Sequence, residues 1–387
     1  MIDPKAILTR QVRRGVPTGV IISITASSTC LALFLILYLL VGGLVFFAAA
    51  ILSVITLVPM MAGVLALDRL EPEPWHLLIM TFLWGAGASI ALSLIFSGIG
   101  VVVLQPGFGE STDLAGAVIV APVVEEIAKA LVLFGLFWFR RCEFNGVTDG
   151  VVYAAMCGLG FAAAENIAYY VDSAFEGVPA LVAVFVMRGV LSPFCHPVFT
   201  AMTGIGLALA LNQRSRAARF FLPLAGLTAA MMLHALWNAS ASVGVGALAI
   251  TFFIMNGVVV CILVAVRVDR KHTVGRIQAC MTQYLPTGLV THEDLAMLSS
   301  LKNRKLAREW ALNRHGKGGF NAMRDYQQAC TELTMLHDRA IVGMVPPHQF
   351  EAHQNALLYL MRVARDAFLG PGHLAEPMMH QPIQNPL

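Results

Sequence analysis

The hydrophobic residues of this chain fall into eight long apolar runs within its first 266 positions. A run of about 20 apolar residues is long enough to cross the hydrocarbon core of a bilayer as a helix. The runs cover 20–40, 44–66, 77–104, 114–138, 148–171, 179–211, 221–240 and 247–266. They predict an all-α fold, a polytopic bundle of about eight transmembrane helices that forms a membrane domain over 20–266.

The pattern changes at about residue 268, where the chain becomes polar and amphipathic. "VTHEDLAMLSSLKNRKLAREWALNRHG" opens with Thr291 as an expected helix N-cap and closes on glycine. "PPHQFEAHQNALLYLMRVARDAFLG" opens with prolines and also closes on glycine. The pattern predicts a small cytosolic helical bundle over 268–370, followed by a disordered tail over 371–387.

The charged residues indicate how the helices are oriented. They make up 13% of the chain, about half of the roughly 25% that is usual for soluble domains. Of 26 Lys and Arg, 14 lie from Arg267 onward, and most others fall in segments on the same side. The opposite loops carry acids only, so the positive-inside rule places both termini in the cytoplasm. We expect a multi-pass protein of the cell membrane that contacts the lipid bilayer.

Two further expectations follow from the distribution of charge. Residues 1–19 carry charges and no cleavage signal, which is typical of a cytoplasmic N-terminal segment. The basic residues of the tail show no nucleic-acid motif, so we interpret them as a solvated face and expect no nucleic-acid partner.

Three ionisable residues interrupt the fourth apolar run, "APVVEEIAKALVLFGLFWF". Each charge at the centre of a span costs about 2.5–3.5 kcal/mol on insertion scales. Glu125 and Lys129 are four residues apart and share a helix face, so we expect an ion pair between them. Glu126 points about 100° away. It therefore needs a partner, a proton or water inside the bundle.

The next two runs contain further ionisable groups. "GLGFAAAENIAYY" places Glu165 and Asn166 after several small residues that permit close helix approach. "RGVLSPFCHPVFTAMTG" contains Arg188, which we expect to be the counter-ion of a buried glutamate. It also contains His196, bracketed by prolines that loosen the backbone there.

The seventh run contains "MMLHALWNAS", in which His234 and Asn238 lie one turn apart on the same face. With about 1.5 Å of rise per residue, these groups and the glutamates of the fourth and fifth runs fall between the midplane and one bilayer surface. The alignment predicts a catalytic core within about 114–240.

Carboxylates, imidazoles and an amide at one depth favour the activation of water. Two histidines and a glutamate are a plausible ligand set for a divalent metal such as zinc, as in zinc hydrolases. A metal-free route, in which Glu and His activate the water, is an alternative. A proton- or ion-coupled transporter and a non-catalytic membrane scaffold are alternative functions.

The motifs "EEIAK", "FAAAEN" and "HALWN", in this order, resemble those of the PrsW family of intramembrane proteases, which is related to the CAAX-type prenyl endopeptidases. "DRLEPEPWHLL" also resembles a loop of this family. The resemblance covers about 65–240. It implies hydrolysis of peptide bonds within or beside the membrane, with a membrane-anchored protein as the substrate.

The resemblance extends to individual residues. The paired acids correspond to Glu125 and Glu126, and we expect one of the two to be the general base. Asn238 is expected to stabilise the oxyanion. The motifs also include Glu165 and His234, and the CAAX relatives have histidine at the position of Glu165. His196 lies outside the matching motifs; together with Glu165 and His234 it completes the set of metal ligands that we expect from the residues themselves.

Overall fold

The computed structural model describes residues 16–70, 72–140, 144–211, 213, 215–341, 343 and 345–369. Every regular element in these ranges is a helix, and seven helical stretches are long and apolar enough to cross a membrane. The all-α polytopic bundle is therefore confirmed. The tail segment 371–387 and nearly all of the N-terminal segment 1–19 lie outside the described residues.

The membrane unit runs from Val16 to Asp269. A short π-helical segment, Trp84–Ser89, joins its third and fourth helices, and a second, Gly116–Val120, leads into the fifth. Apart from the single turn Thr112–Ala115, the α-helices are α1 Thr18–Gly42, α2 Leu44–Leu67, α3 Trp75–Leu83, α4 Ile90–Phe108, α5 Ala121–Phe139, α6 Val147–Glu176, α7 Val178–Phe185, α8 Cys195–Leu211, α9 Arg216–Val243 and α10 Val245–Thr282.

The predicted count of eight spans depends on α5. This helix has 19 residues and corresponds to the fourth apolar run, but it is absent from the seven stretches that qualify by length and apolar composition. Its three charged residues, Glu125, Glu126 and Lys129, explain the difference. The crossing of the membrane by α5 therefore stays a prediction.

Helix α6 lies at the centre of the membrane unit, because 83% of its most apolar stretch is buried. Its small residues bring other backbones into contact. The position of a Cβ on Gly160 would fall on the carbonyl of Phe82 in α3, and a Cβ on Gly85 would fall on the carbonyl of Cys157 in α6. The close helix approach predicted for this part of the sequence is confirmed.

The sixth predicted span is interrupted. After α7 the chain forms a π-helical segment, Val186–Leu191, and α8 begins only at Cys195. Proline cannot donate a backbone hydrogen bond, so Pro193 leaves a carbonyl of the preceding turn without its usual partner. Hydroxyl groups bind carbonyls there: Thr56 donates to Gly189 (3.4 Å) and Ser192 donates to Met187 (2.6 Å).

The second unit begins at Arg270. Beyond the end of α10 it contains α11 His292–Leu298, α12 Leu301–Ile341 and α13 Pro347–Leu369. Thr291 caps α11 in a reciprocal capping box with Asp294, so the predicted N-cap is confirmed. Asp294 also forms a buried ion pair with Arg365 of α13. The boundaries predicted for this bundle, 268–370, stay a prediction.

Candidate active site

A cavity of about 80 Å³ lies among the spans that carry the ionisable residues. Five of the six residues predicted for the site line it: Glu125, Glu165, His196, His234 and Asn238. They come from α5, α6, α8 and α9, four helices that meet inside the membrane unit. The sixth predicted residue, Glu126, lies behind this wall and is fully buried.

Lys129 connects the two adjacent glutamates. Its Nζ lies 2.8 Å from Oε1 of Glu126 and 3.4 Å from Oε2 of Glu125. The sequence predicted a pair with Glu125 alone. The lysine contacts both because residues three and four positions earlier on a helix are equally accessible to a long side chain. The ring of Phe161 lies against the ammonium, with 3.7 Å between Nζ and the ring centroid.

Glu126 orients His234. The Nδ1 atom of His234 is 3.1 Å from Oε1 of Glu126, and an ionised carboxylate can only accept, so Nδ1 carries the proton. The lone pair of Nε2 is then available, 3.8 Å from Oε2 of Glu125. Phe199 stacks on the imidazole with ring centroids 4.7 Å apart. Thr200 donates to the other oxygen of Glu126 at 3.3 Å.

His196 is held on both ring nitrogens. Its Nδ1 lies 3.0 Å from Nζ of Lys129, which can only donate, and its Nε2 lies 2.8 Å from Oε2 of Glu165. The imidazole is therefore neutral with its proton on Nε2, which donates to Glu165. This places His196 at the same cavity as His234, with 5.2 Å between the ring centroids.

Glu165 pairs with Arg188, which confirms the predicted role of this arginine as a counter-ion. The guanidinium also donates from Nε to Oδ1 of Asn166 at 2.8 Å. Its plane lies over the ring of Tyr169, with 4.0 Å between Cζ and the centroid. Glu165 thus has two cavity-side partners, Arg188 and His196.

Asn238 reaches the same cavity from α9. Its Nδ2 donates to the carbonyl of Ala117 at 2.8 Å, and Ala117 belongs to the π-helical segment before α5. An amide nitrogen carries two hydrogens, so one of them is left for a group inside the cavity. The predicted role in stabilising an oxyanion stays a prediction.

Comparison with known families gives this geometry a context. The family described as PrsW family intramembrane metalloprotease matches residues 73–266. This chain belongs to the PrsW family. The match includes every residue of the cavity named above, since they all lie between Ala117 and Asn238. The predicted relation to the CAAX-type prenyl endopeptidases stays a prediction.

Two curated relatives share the name "Protease PrsW". The protein from Geobacillus kaustophilus (strain HTA426) is 31% identical over 137 residues, which are 35% of this chain and 55% of that relative. The protein from Clostridioides difficile (strain 630) is 29% identical over 156 residues, 40% of this chain and 63% of the relative. The chain therefore spans less than two thirds of the length of these PrsW proteins. No solved structure matches it.

The PrsW family is described as a family of metalloproteases, and the cavity contains side chains that could bind a metal ion. Within the described residues, Glu125, His196 and His234 form a buried group whose ligand atoms lie within 4.8 Å of one another. A carboxylate and two imidazoles suit zinc. Three carboxylates and two cations give the cluster a net charge of −1, which favours a cation. The group contains Glu125, whereas the predicted ligand set contained Glu165.

Several contacts were missed at the level of sequence. Phe161 and Phe199 pack on Lys129 and His234, and Tyr169 packs on Arg188. A weak signal existed for two of them: Phe161 lies four residues before Glu165, and Phe199 lies three residues after His196, on the face that carries the polar group. The contact with the carbonyl of Ala117 has no signal in the sequence, because every residue has a backbone carbonyl.

Proposed function

We propose that this chain is an intramembrane endopeptidase that hydrolyses peptide bonds of membrane-anchored protein substrates. The observation that carries the proposal is the convergence of Glu125, His196 and His234, from three different helices, on one buried cavity. Buried groups with such close charged neighbours are frequent at active sites. Membership in the PrsW family supports the same reaction.

Glu125 is the residue that we assign to water activation. Its carboxylate lines the cavity, whereas Glu126 does not. Oε2 of Glu125 and the lone pair of His234 Nε2 are 3.8 Å apart, so one water molecule can donate a hydrogen bond to each. The proton passes to Oε2 of Glu125 as the water oxygen attacks the peptide carbonyl carbon.

Glu126 acts through His234 in this scheme. By accepting the Nδ1 proton it fixes the tautomer in which Nε2 points toward the water. Lys129 and Thr200 hold the glutamate in place. This assignment distinguishes the two adjacent acids, which the sequence left as alternatives.

Two further steps are the stabilisation of the carbonyl oxygen and the protonation of the leaving amine. The free amide hydrogen of Asn238 donates to the carbonyl oxygen as it becomes negative. When the carbon–nitrogen bond breaks, Glu125 returns its proton to the departing nitrogen. The products are a carboxylic acid and an amine, and Glu125 is again ionised.

Glu125, His196 and His234 would hold the metal of this family, and we propose zinc. In that form Nε2 of His234 would be a ligand and would not accept from the water, and the carboxylate oxygen of Glu125 that does not bind the metal would accept the proton. When bound, the metal supplies Lewis acidity, which lowers the pKa of water and polarises the carbonyl group. His196 would have to present an unprotonated ring nitrogen to the metal, and the neutral imidazole can present Nε2 by carrying its proton on Nδ1 instead.

The expected location is the cell membrane, with both termini in the cytoplasm. The basic residues of the interhelical loops support this orientation. The substrate then shares the bilayer with the enzyme.

The variant Glu125→Gln tests the proposal, because it keeps the size of the side chain and removes the base. The protein is reconstituted in liposomes with a pool of single-pass membrane proteins, and new N-termini are counted by mass spectrometry. We expect the rate to fall by about 10²–10⁴-fold, the usual contribution of a general base. Metal content of the same samples is measured by elemental analysis, with about one zinc per chain expected in the wild type.

The matched control is Asp172→Asn, which neutralises an exposed acid on α6, the helix that also carries Glu165. Its cleavage rate should equal that of the wild type. Full activity of Glu125→Gln would contradict the assigned role. Ion flux without cleavage by the wild type would favour a transporter instead.

A further inference from the structure

The first half of α12 leaves one face exposed. The helix runs regularly from Leu301 until His315 and Gly316, where the backbone leaves the helical conformation. Lys302, Leu306, Trp310 and Arg314 follow at intervals of four and are all exposed. Residues at this interval lie on one side of a helix. We call these four residues the tryptophan face.

The face combines exposed apolar groups with positive charge. Leu306 and Trp310 keep 53% and 41% of their surface exposed, which is high for residues of this size in a packed bundle. The opposite side of the helix is buried through Arg304 and Ala311. The exposure of the two apolar side chains is therefore confined to the outer side.

Three of the positive charges beside these apolar groups have no acidic partner among the described residues. Within the part of the chain that the structure describes, Lys302, Arg314 and the nearby exposed Lys317 form no ion pair, whereas Lys305 pairs with Glu309 at 3.5 Å. The guanidinium of Arg314 lies 5.6 Å from the centroid of Trp310. The face thus presents uncompensated cations around an exposed indole ring.

These properties match a bilayer surface. Tryptophan prefers the membrane–water interface. Long basic side chains extend their charges toward the lipid headgroups while their aliphatic stems cover apolar surface. Anionic lipids attract nearby lysine and arginine side chains. The chain connects the second unit, which contains α12, directly to the membrane unit. Helix α10 has 38 residues and a length of about 57 Å, so it is longer than the hydrocarbon core of about 30 Å and continues into the second unit.

We propose that the tryptophan face docks on a surface of anionic phospholipid headgroups. Leu306 and Trp310 enter the interface, and Lys302, Arg314 and Lys317 contact phosphate groups. Docking depends on the lipid composition and not on the hydrolytic reaction. The face is therefore a second membrane contact of the protein, separate from its transmembrane helices.

Fluorescence of the full chain in nanodiscs tests this proposal. The discs contain lipids with brominated acyl chains, which quench tryptophan at close range, either with phosphatidylcholine alone or with added phosphatidylglycerol. The protein has five tryptophans, so the difference between wild type and Trp310→Phe isolates the emission of Trp310. We expect this emission to be quenched in anionic discs only. Salt at about 1 M, where the Debye length is about 3 Å, should abolish the quenching.

Charge reversal provides the matched comparison. Each basic residue strengthens attachment to an anionic surface about fivefold, so Lys302→Glu, a change of two charges, should lower the ratio of docked to free protein about 25-fold. Arg324→Glu changes the net charge equally at an exposed position in the second half of the same helix. It should leave the quenching in place.

Three results would overturn the proposal: no quenching of Trp310 in either disc, equal quenching in both, or equal loss from Lys302→Glu and Arg324→Glu. Circular dichroism of each variant shows whether it is folded. The two charge-reversal variants change exposed positions, so they are expected to retain the helix content of the wild type.

Discussion

Lys129 is the residue on which the charge balance of the cavity depends. Its ammonium contacts Glu125, Glu126 and His196, and it is completely buried. An ion in this position loses its hydration, and only its partners compensate for that loss. Removal of the lysine leaves two adjacent carboxylates facing each other in a region of low dielectric constant.

The variant Lys129→Met should therefore be unstable. Loss of one partner of a buried ion pair costs about 3–5 kcal/mol, so we expect the free energy of unfolding in detergent to fall by that amount. The double variant Lys129→Met/Glu126→Gln also removes one of the carboxylates and should recover part of the loss. Equal stability of the single and double variants in denaturant titrations would show that repulsion between the glutamates is not the cause.

The roles of single residues were predictable to different extents. Of the six site residues predicted from the sequence, five line one cavity. It paired Lys129 with Glu125, whereas the closer partner is Glu126. It also chose Glu165 as a ligand, because nothing in the sequence shows that Arg188 binds this carboxylate. That contact depends on how α6 packs against the segment after α7.

At the scale of elements, glycines determine how closely α3 and α6 approach. Gly160 of α6 faces the carbonyl of Phe82 in α3, and Gly85, in the π-helical segment that follows α3, faces the carbonyl of Cys157 in α6. Such contacts align α6, which carries Glu165, within the bundle. An added methyl group has no space there without separation of the helices.

We expect Gly160→Ala to destabilise the protein by about 1–3 kcal/mol, the usual cost of overpacking. Thermal unfolding in detergent measures the effect. Gly135→Ala on α5 is the matched control, because no atom lies within 4 Å of the position of its Cβ. This control should be neutral or slightly stabilising, since alanine has a higher helix propensity than glycine. Equal melting temperatures of the two variants would refute the packing argument.

The sequence predicted those helices and caps that are determined by residues close together in the chain. Apolar runs of sufficient length located the helices, and Thr291 was recognised as a cap from its neighbours alone. The π-helical segments were not predicted. One of them contacts a distant part of the chain through the hydrogen bond from Asn238 to Ala117, and no short sequence pattern encodes such a contact.

At the scale of the whole molecule, the topology depends on whether α5 crosses the membrane. Seven stretches qualify by composition, and α5 would make eight. An even number places both termini on the same side. The charged residues of α5 do not prevent a crossing, because Glu125, Glu126 and Lys129 are buried against other helices and do not face lipid.

Reporter fusions at Gly109 and Gly146, on either side of α5, test this topology. A reporter that is active only outside the cytoplasm should be active after Gly109 and inactive after Gly146, because basic residues follow α5 and only acids precede it. Activity at both positions would mean that α5 does not cross. The fusion at Leu387 is the control for the C-terminus and should be inactive.

The break between α7 and α8 has a mechanical consequence. A continuous helix resists bending because each turn is tied to the next by backbone hydrogen bonds, but Ser192, Pro193 and Phe194 lie outside any helix. Hydroxyl groups of Thr56 and Ser192 bind carbonyls near the gap, and such bonds re-form after a rotation. Ser192 and Pro193 also line the cavity, so a change in the angle between α7 and α8 at this break would change the width of the cavity.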